Sequence, residues 1–285
     1  PEPGPNRGIA RLEAPNGAGG GLVSDVSYVA ENDTFEVDGL GFDGANVYAR
    51  GTAVAQVNGF AVYEADIVSE DFLTGNQIDQ IVPYRAIYGV STNTTTDGDP
   101  RSAFAIVRTG GYVDYGFGGF LYERNGAVVL PDSGQAIFSG DYAGIRVFQA
   151  RGGLEYVEGD MMISIDFEDF NANDAVRGRI SNRVIYDQNG DQIDSVPTPN
   201  VTFVIQEGAP SIDANGEIAG ELASFRVNEG GALEVYEEGT YYGLIAGDTT
   251  GGDGGEIVGI VVLESEDPRF DGVNAQETGG FILYR

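Results

Sequence analysis

The chain has 285 residues, of which 41% are hydrophobic and 11% aromatic, enough for the packed core of one large all-β domain or of two smaller ones. Its 45 acidic residues outnumber 15 basic residues, all arginine, and the net charge of −30 argues against binding to nucleic acids or to anionic membranes. Cys and His are absent, which excludes disulfides, thiolate or imidazole catalysis and Cys/His metal sites.

The acidity has two interpretations. A protein selected for solubility, or for a salty habitat, needs no partner to explain its charge. The alternative is that the negative surface attracts a cationic partner or metal ions. The 44 glycines show no Gly-X-Y period, which excludes collagen and is typical of a β-barrel with many turns.

The first part of the chain predicts a tether followed by a β-rich domain. Residues 1–21 are rich in Pro, Gly and Asn and predict a flexible tether, although the weakly apolar patch Ile9–Leu12 can dock elsewhere. Residues 22–111 predict short strands separated by turn signals such as Asn58-Gly59. One short helix is predicted at residues 68–80, with Ser69 as its N-cap.

The rest of the chain, residues 112–285, predicts a barrel domain. Turn-like segments separate eight candidate strands: residues 135–148, 154–168, 175–186, 200–207, 217–225, 232–246, 256–263 and 279–284. Eight strands in up-and-down order favour a closed antiparallel barrel, because closure removes free sheet edges. The predicted fold class is therefore all-β, an eight-stranded antiparallel up-and-down barrel with an N-terminal β-rich domain.

The predicted strands have one apolar and one charged face. In residues 161–167 an apolar residue recurs at every second position, and on the next strand Arg177, Arg179 and Arg183 follow the polar face. An eight-stranded barrel encloses only enough room for side chains, so the apolar face fills the interior and the arginines meet water. Cross-strand ion pairs with Asp166, Glu168, Asp169 and Asp174 follow. The alternative is an outer-membrane barrel with its apolar band toward lipid; no run is long enough for a transmembrane helix.

Several barrel segments resemble a known family, the barrel domains of transferrin-binding protein B and related surface lipoproteins of Gram-negative bacteria. The resembling segments are SGQAIFSGDYAGIRVF (133–148), GDMMISIDFEDF (159–170), VRGRIS (176–181), NGEIAGELAS (215–224), GTYYGLIAGDTTGGDGGEIVGIVVL (239–263) and GGFILYR (279–285). Their order and spacing are similar over the second half of the chain. By position, the first domain is similar to the β-rich handle that lies beside the barrel in that family.

The resemblance implies a non-enzymatic binding protein at the cell surface, on the outer leaflet of the outer membrane, or outside the cell. It implies a lipid anchor through the N-terminal tether. Members of the family capture host iron proteins, haem carriers or small solutes, so a protein partner or a small solute is expected.

Aromatic residues beside glycines are candidate contact sites for such a partner. Tyr112, Tyr115 and Phe117 stand in an aromatic stripe that continues to Phe120 and Tyr122. Tyr241 and Tyr242 adjoin the long Gly-rich tip at residues 247–255, itself a candidate contact loop. The alternative for the stripe is packing in the core or at the domain junction, and for the tip a plain turn.

One polar segment has the oxygen pattern of a calcium loop. Asp187, Asn189, Asp191 and Asp194 place oxygen ligands near alternating positions, so calcium is the one cofactor the sequence suggests. The segment lacks the bidentate Glu of a complete loop, and a polar hairpin turn is the alternative.

Two functions follow from these observations. The first is a binding protein that presents handle and barrel loops to a partner, and no catalytic machinery is predicted. The second is a structural component of an envelope or extracellular assembly, self-associating or bound to a partner. Apolar patches on the strands of the first half of the chain, with edges left unpaired, would be its sign.

Overall fold

The computed structural model describes residues 2–17, 19–40, 46–65, 68–70, 74, 76–79, 83–111, 114–168, 175–205, 212–228, 230–251 and 254–285. These residues contain no helix, and their strands form two large sheets and one two-stranded ribbon. The predicted all-β fold class is confirmed. No helix among these residues is therefore long and apolar enough to span a membrane.

The first sheet is antiparallel and follows the spatial order β1-β11-β10-β9-β6-β4-β3-β2, with β5 paired to β6. Its strands are β1 (Ile9–Leu12), β2 (Asp25–Val29), β3 (Thr34–Asp38), β4 (Val47–Arg50), β5 (Gln56–Val57), β6 (Phe60–Glu64), β9 (Arg85–Val90), β10 (Ser102–Arg108) and β11 (Gly118–Arg124). The separate ribbon consists of β7 (Val68–Glu70) and β8 (Gln77–Asp79).

The second sheet closes into the barrel. Each strand from β13 to β20 pairs antiparallel with the next, and β20 pairs back onto β13. The strands are β13 (Gln135–Phe148), β14 (Arg151–Asp166), β15 (Val176–Asp187), β16 (Val201–Phe203), β17 (Glu217–Val227), β18 (Leu233–Asp248), β19 (Glu256–Glu266) and β20 (Asn274–Tyr284). A short strand, β12 (Val128–Val129), runs parallel to the end of β18. The predicted eight-stranded up-and-down barrel is confirmed.

Ile9–Leu12 and Gly118–Arg124 both belong to the first sheet. The sequence predicts a tether for the former and a part of the barrel domain for the latter. Ile9–Leu12 is not part of a loose tether but pairs with β11, so that both strands belong to the first sheet. The sheets therefore divide the chain between Arg124 and Val128 rather than near residue 111. Where independently folding domains begin and end stays a prediction.

The predicted helix at residues 68–80 is wrong. Its described residues include the paired strands β7 and β8, with Ser69 opposite Ile78. Gly75, in the middle of the segment, is a poor helix former, and Thr74 lies in a turn between the two strands. The remaining positions, Asp71 among them, lie outside the described residues.

Three apolar clusters account for the core. The first fills one end of the barrel and includes Phe138, Ile163 and Phe281. The second lies between the barrel and the first sheet, and the third lies inside the curl of the first sheet around Phe35 and Tyr48. Since β9 and β10 contribute side chains to both the second and the third cluster, the first sheet is covered on both faces.

The other end of the barrel interior is charged. Arg183 is buried there with Glu237 and Glu277, and its Nη1 lies 2.9 Å and 3.0 Å from their carboxylate oxygens. Beside it, Nη1 of Arg146 donates to Glu155 at 2.8 Å and to Asp267 at 2.7 Å. The apolar side chains of the barrel are thus internal, as predicted, but they share the interior with ion pairs.

The predicted outward position of Arg183 is wrong: the side chain lies inside the barrel, where it pairs with Glu237 and Glu277. A bulge opposite Gly159 inserts one extra residue into β15, and Asn182 takes a positive φ of 54° there. The side-chain alternation shifts, so Ile180 and Arg183 face the same side. Arg177 and Arg179 remain exposed; Asp169 and Asp174 lie outside the described residues.

Many glycines make room for aromatic rings. A Cβ on Gly280 would lie 2.2 Å from the ring of Phe104, and a Cβ on Gly89 would lie 2.3 Å from the same ring. Inside the barrel, Gly279 faces the ring of Tyr142 in the same way. The high glycine content therefore serves close packing as well as turns.

Candidate functional site

A groove of about 710 Å³ lies between the first sheet and the barrel. One wall is β1 with the residues that follow it, and the other is the outer face of β17, β18, β19 and β20. We refer to it as the junction groove. The first sheet covers part of the outer surface of the barrel, and the groove opens where this cover stops, at the edge strand β1.

Aromatic and aliphatic side chains form the floor of the junction groove. The rings of Phe120 and Tyr242 stack with centroids 6.4 Å apart, and the ring of Tyr122 lies 6.5 Å from that of Phe120. Burial, followed by the charge of Glu217, raises the pKa of Tyr122 well above its usual range. The floor therefore stays uncharged at neutral pH and offers ring faces for packing.

The arginines beside the groove are paired with acids. Arg11 makes a two-point contact with Glu217, with Nε at 2.9 Å and Nη2 at 2.5 Å from the carboxylate, and this bond raises the pKa of Arg11. Arg108 pairs with Glu13 at 3.0 Å. The Asp213 side chain accepts bonds from the backbone amides of Asn215 and Glu217. The contact of Arg11 with Glu217 ties β1 to the barrel and shapes one end of the groove.

Neutral polar groups complete the lining. Thr240, Gln276 and the hydroxyl of Tyr242 lie on the outer face of the barrel, and the amide nitrogen of Gln276 donates to Glu264 at 2.9 Å. Their remaining hydrogen-bonding capacity faces a partly apolar surface, which can orient a bound group. The arrangement suits non-covalent binding.

Buried polar contacts hold the two sheets together around the groove. Glu256 is fully buried and accepts hydrogen bonds from Ser91 at 2.8 Å, Ser102 at 2.6 Å and Asn93 at 2.6 Å. Arg124 donates to the backbone oxygen of Ile245 at 2.8 Å. The walls of the groove are thus fixed relative to each other by specific contacts as well as by apolar packing.

The structure brings one of the predicted contact residues to this groove. Tyr242 lines it, whereas Tyr241 points into the barrel and stacks on Phe203 at 3.8 Å. Tyr115 is buried between the sheets, and its burial, with the nearby Glu264, raises its pKa to about 12. Phe117 is exposed outside the groove, and Tyr112 lies outside the described residues.

The side chains of β1 and β17 were missed because they become neighbours only in the fold. Arg11 and Glu217 are far apart in the chain, and no local pattern marks either one. The docking patch Ile9–Leu12 was the one available signal. Phe120 and Tyr122 belong to the predicted aromatic stripe, and both rings lie between the sheets, which agrees with packing at the domain junction, the alternative interpretation of the stripe.

The predicted calcium loop has the local structure of a turn. The carboxylate of Asp187 accepts bonds from the backbone amides of Asn189 at 2.8 Å and Asp191 at 3.0 Å. Burial opposes ionisation of Asp187, but these amide bonds prevail and its pKa is lowered. Asp194 accepts from Gln192 at 2.8 Å. Nowhere in the described ranges do three His, Cys, Asp or Glu side chains form a group that could hold a metal. Calcium binding stays a prediction.

A second, smaller groove of about 390 Å³ lies on another side of the junction. Tyr28, Tyr63 and Tyr88 of the first sheet line it together with Asp141 and Tyr284 of the barrel. Asn58 crosses its base and donates to the backbone oxygen of Gly159 at 2.7 Å.

Two solved structures similar to this chain are both transferrin-binding protein B. One is a double mutant of the Haemophilus parasuis vaccine antigen, at 10% identity and a TM-score of 0.41, with 98% of this chain and 45% of that chain covered. The other is intact Ap-TbpB with N and C lobes, at 12% identity and a TM-score of 0.41, with 98% and 46% covered.

The chain thus spans less than half of the length of those structures. No family model matches it, and no curated protein matches it. The first sheet lies beside the barrel, at the position where the sequence resemblance predicts a handle domain.

Proposed function

We propose that the chain is a non-enzymatic binding protein that holds a small solute or part of a protein partner in the junction groove. The observation that carries this proposal is the groove itself, about 710 Å³ with an aromatic floor and a polar rim. Concavities of this size, apolar with a few polar groups, are typical of ligand sites. The rigid walls, fixed by Glu256 and Arg124, support it because a preformed site loses less entropy on binding.

The proposal includes a position at the cell surface, on the outer leaflet of the outer membrane, or outside the cell. Its support is the series of barrel motifs in the sequence. A lipid anchor on the N-terminal side belongs to the same proposal, and mass spectrometry of the protein isolated from its native cells tests it.

Filling the groove tests the proposed site. Ala219 is exposed on the barrel wall of the groove, so Ala219→Trp occupies the space without removing an existing contact. Ile137→Trp is the matched control, since Ile137 is exposed on β13 away from the groove. Native mass spectrometry of each protein, isolated from its own cells, measures the bound solute or partner.

We expect wild type and Ile137→Trp to carry the same occupant and Ala219→Trp to lose it by about tenfold or more. Equal occupancy in all three would contradict the groove as the site. Repeating the measurement with EDTA tests calcium: a mass loss of one calcium ion that Asp187→Ala also shows would establish the predicted loop at residues 187–194.

The second candidate, a structural component of an assembly, is supported by a different surface. At the tip of the β17–β18 hairpin, Phe225 lies opposite Val235 and Val227 opposite Leu233. All four side chains are exposed, Leu233 to 69%. An exposed apolar patch on an otherwise acidic protein is a recognised sign of an interaction surface. Val227→Ser with Leu233→Ser should then dissolve assemblies seen by sedimentation, whereas a wild-type monomer at all concentrations, alone or with cell extract, would contradict this candidate.

A further inference from the structure

The strand β1 is an open sheet edge. It stands at the end of the first sheet and pairs with β11, and no other described strand lies beside it. The amide of Glu13 donates to the oxygen of Phe120 at 2.9 Å, which sets the alternation of hydrogen bonds along the strand. The backbone groups of Arg11 therefore face β11, and those of Ala10 and Leu12 face away from the sheet.

The open edge runs along the junction groove. Arg11, Leu12 and the residues after them form one wall of the groove, and Ala219, Tyr242 and Val262 lie on the opposite wall. In a strand added beside β1, successive side chains would point alternately toward the barrel and away from it. Every second side chain would then enter the groove and meet an apolar surface.

The rim of the groove carries an excess of negative charge. Among the charged residues that line the groove, Glu13, Asp213 and Glu217 are acids, whereas Arg11 is a base. The net charge of −30 acts in the same direction at longer range. A segment bearing Lys or Arg on its solvent-facing positions is complementary to this rim, and a second copy of the chain is not.

We propose that an extended, Lys- or Arg-bearing segment of a partner protein binds as an added strand on β1, with alternate apolar side chains in the junction groove. Main-chain hydrogen bonds to Ala10 and Leu12 supply affinity, and the groove supplies side-chain selectivity. This inference rests on the proposed function and names the ligand of the same site.

Synthetic peptides with blocked termini test the inference on the intact protein by fluorescence anisotropy. The first peptide alternates valine and lysine, and the second alternates valine and glutamate. Two further peptides repeat the first with N-methyl groups on all valines or on all lysines. In an added strand the amides of alternate residues face β1, and the amides between them face solvent. The valine amides and the lysine amides therefore face opposite sides, so that one methylated peptide retains binding and the other loses it.

We expect the valine–lysine peptide to bind, the glutamate peptide to bind about tenfold or more weakly, and one N-methylated peptide to lose about tenfold. Added salt should weaken the binding. Hydrogen exchange at the amides of Ala10 and Leu12 should slow in the complex. Equal affinity of the lysine and glutamate peptides, or of both methylated peptides, would overturn the proposal.

A pair of variants tests the same edge from the protein side. Leu12→Pro removes an amide that faces the open edge and leaves the β1–β11 hydrogen bonds in place, because proline is tolerated on that side of an edge strand. Leu12→Ala keeps the amide and removes the same side chain, so it is the matched control. We expect Leu12→Pro to lose about tenfold in peptide affinity relative to Leu12→Ala at a similar melting temperature.

Equal affinity of the two folded variants would refute strand addition, and the methylated peptides on wild type decide the question if Leu12→Pro does not fold. A protein that carries a solute displaced by Ala219→Trp, yet binds none of the peptides, overturns this inference and leaves the proposed function standing. Loss of both signals overturns both.

Discussion

At the scale of single residues, Glu256 joins the barrel to the first sheet without a close ion pair. Its carboxylate is fully buried and held by three neutral donors, and the nearest cation, Arg101, lies 3.9 Å away. A buried charge is tolerated only when its hydrogen-bonding capacity is filled. The donors on Ser91 and Ser102 are therefore as important as the acid, since each would be buried without a partner if the acid were removed.

Two substitutions of Glu256 should distinguish the contribution of its charge to stability from the contribution of its shape. Glu256→Ala leaves the donors unsatisfied and should lower the free energy of unfolding by about 3 kcal/mol, whereas Glu256→Gln keeps most of the shape and should cost about half as much. Urea unfolding monitored by circular dichroism measures both. The exposed Glu221→Ala serves as the control, with a change within about 0.5 kcal/mol. A cost for Glu256→Ala as small as that of the control would show that the contact does not hold the sheets together.

The acid dependence of stability should trace in part to Asp267. Burial raises the pKa of this carboxyl, but the bonds from Arg269 and the nearby Arg146 outweigh it and lower the pKa from 3.8 to about 2. A carboxyl whose pKa is lower in the folded state than in the unfolded state stabilises the fold at pH values above its unfolded-state pKa. This contribution is lost as the pH falls through the folded-state pKa.

We therefore expect wild type to lose stability as the pH falls from about 4 to about 2, and Asp267→Asn to be less stable at neutral pH with a shallower acid slope. Denaturant titrations across this range give the slopes. Asp271→Asn, exposed on the same loop, should retain the wild-type slope. If the unfolding free energy of wild type and of Asp267→Asn depends on pH with the same slope, Asp267 does not contribute to the acid dependence of stability.

At the scale of elements, the contact of β10 with β20 depends on the absence of side chains. The ring of Phe104 on β10 lies against Gly280 on β20 and Gly89 on β9. No methyl group fits at Gly280 unless the ring or the strand moves. The distance between the first sheet and the barrel is thus set by glycine.

Gly280→Ala should destabilise the protein by about 2 kcal/mol through overpacking. Combined with Phe104→Leu, it should cost less than the sum of the two single changes, because the smaller side chain makes room for the methyl group. Thermal and urea unfolding of the four proteins complete the cycle. Gly251→Ala, where no atom lies within 4 Å of the added carbon, should be close to neutral. Strict additivity would refute the steric account.

At the scale of the whole molecule, the net charge of −30 predicts that salt stabilises the fold. Repulsion among surface acids acts over a screening length of about 30 Å at 0.01 M salt and about 3 Å at 1 M. The buried ion pairs inside the barrel are screened less than this surface repulsion.

The melting temperature should therefore rise by several degrees between low and high sodium chloride. A variant with the exposed residues Glu36, Glu221 and Glu238 changed to Gln should show a smaller rise. Differential scanning calorimetry at each salt concentration measures the difference. A melting temperature that falls with salt would mean that surface ion pairs outweigh the repulsion.

The barrel could be predicted from the sequence because most of its strands are long and several carry an apolar residue at every second position over part of their length. Gln135–Phe148 was predicted with its observed bounds, and all eight barrel strands were found in order. The inward turn of Arg183 could not be predicted, since it depends on a bulge set by the register with β14. Asn182, a residue type that tolerates positive φ, was the only local sign.

The candidate site was less predictable than the fold. The junction groove depends on Ile9–Leu12 pairing with β11, and this contact joins segments that are far apart in the chain. Tyr242 was found because aromatic residues beside glycines are conspicuous. The residues of the opposite wall carry no pattern of their own, and only the tertiary fold brings them to the site.

The closure of the barrel has a consequence for the time course of synthesis. β13 pairs with β20, which is made after all the other strands of the barrel, and β19 pairs with β20 along its full length. Until Asn274–Tyr284 has left the ribosome, the growing chain therefore exposes two unpaired strand edges, and such edges recruit other chains. A barrel with this strand order is therefore prone to association with other chains throughout its synthesis. Factors that cover strand edges can act during that interval.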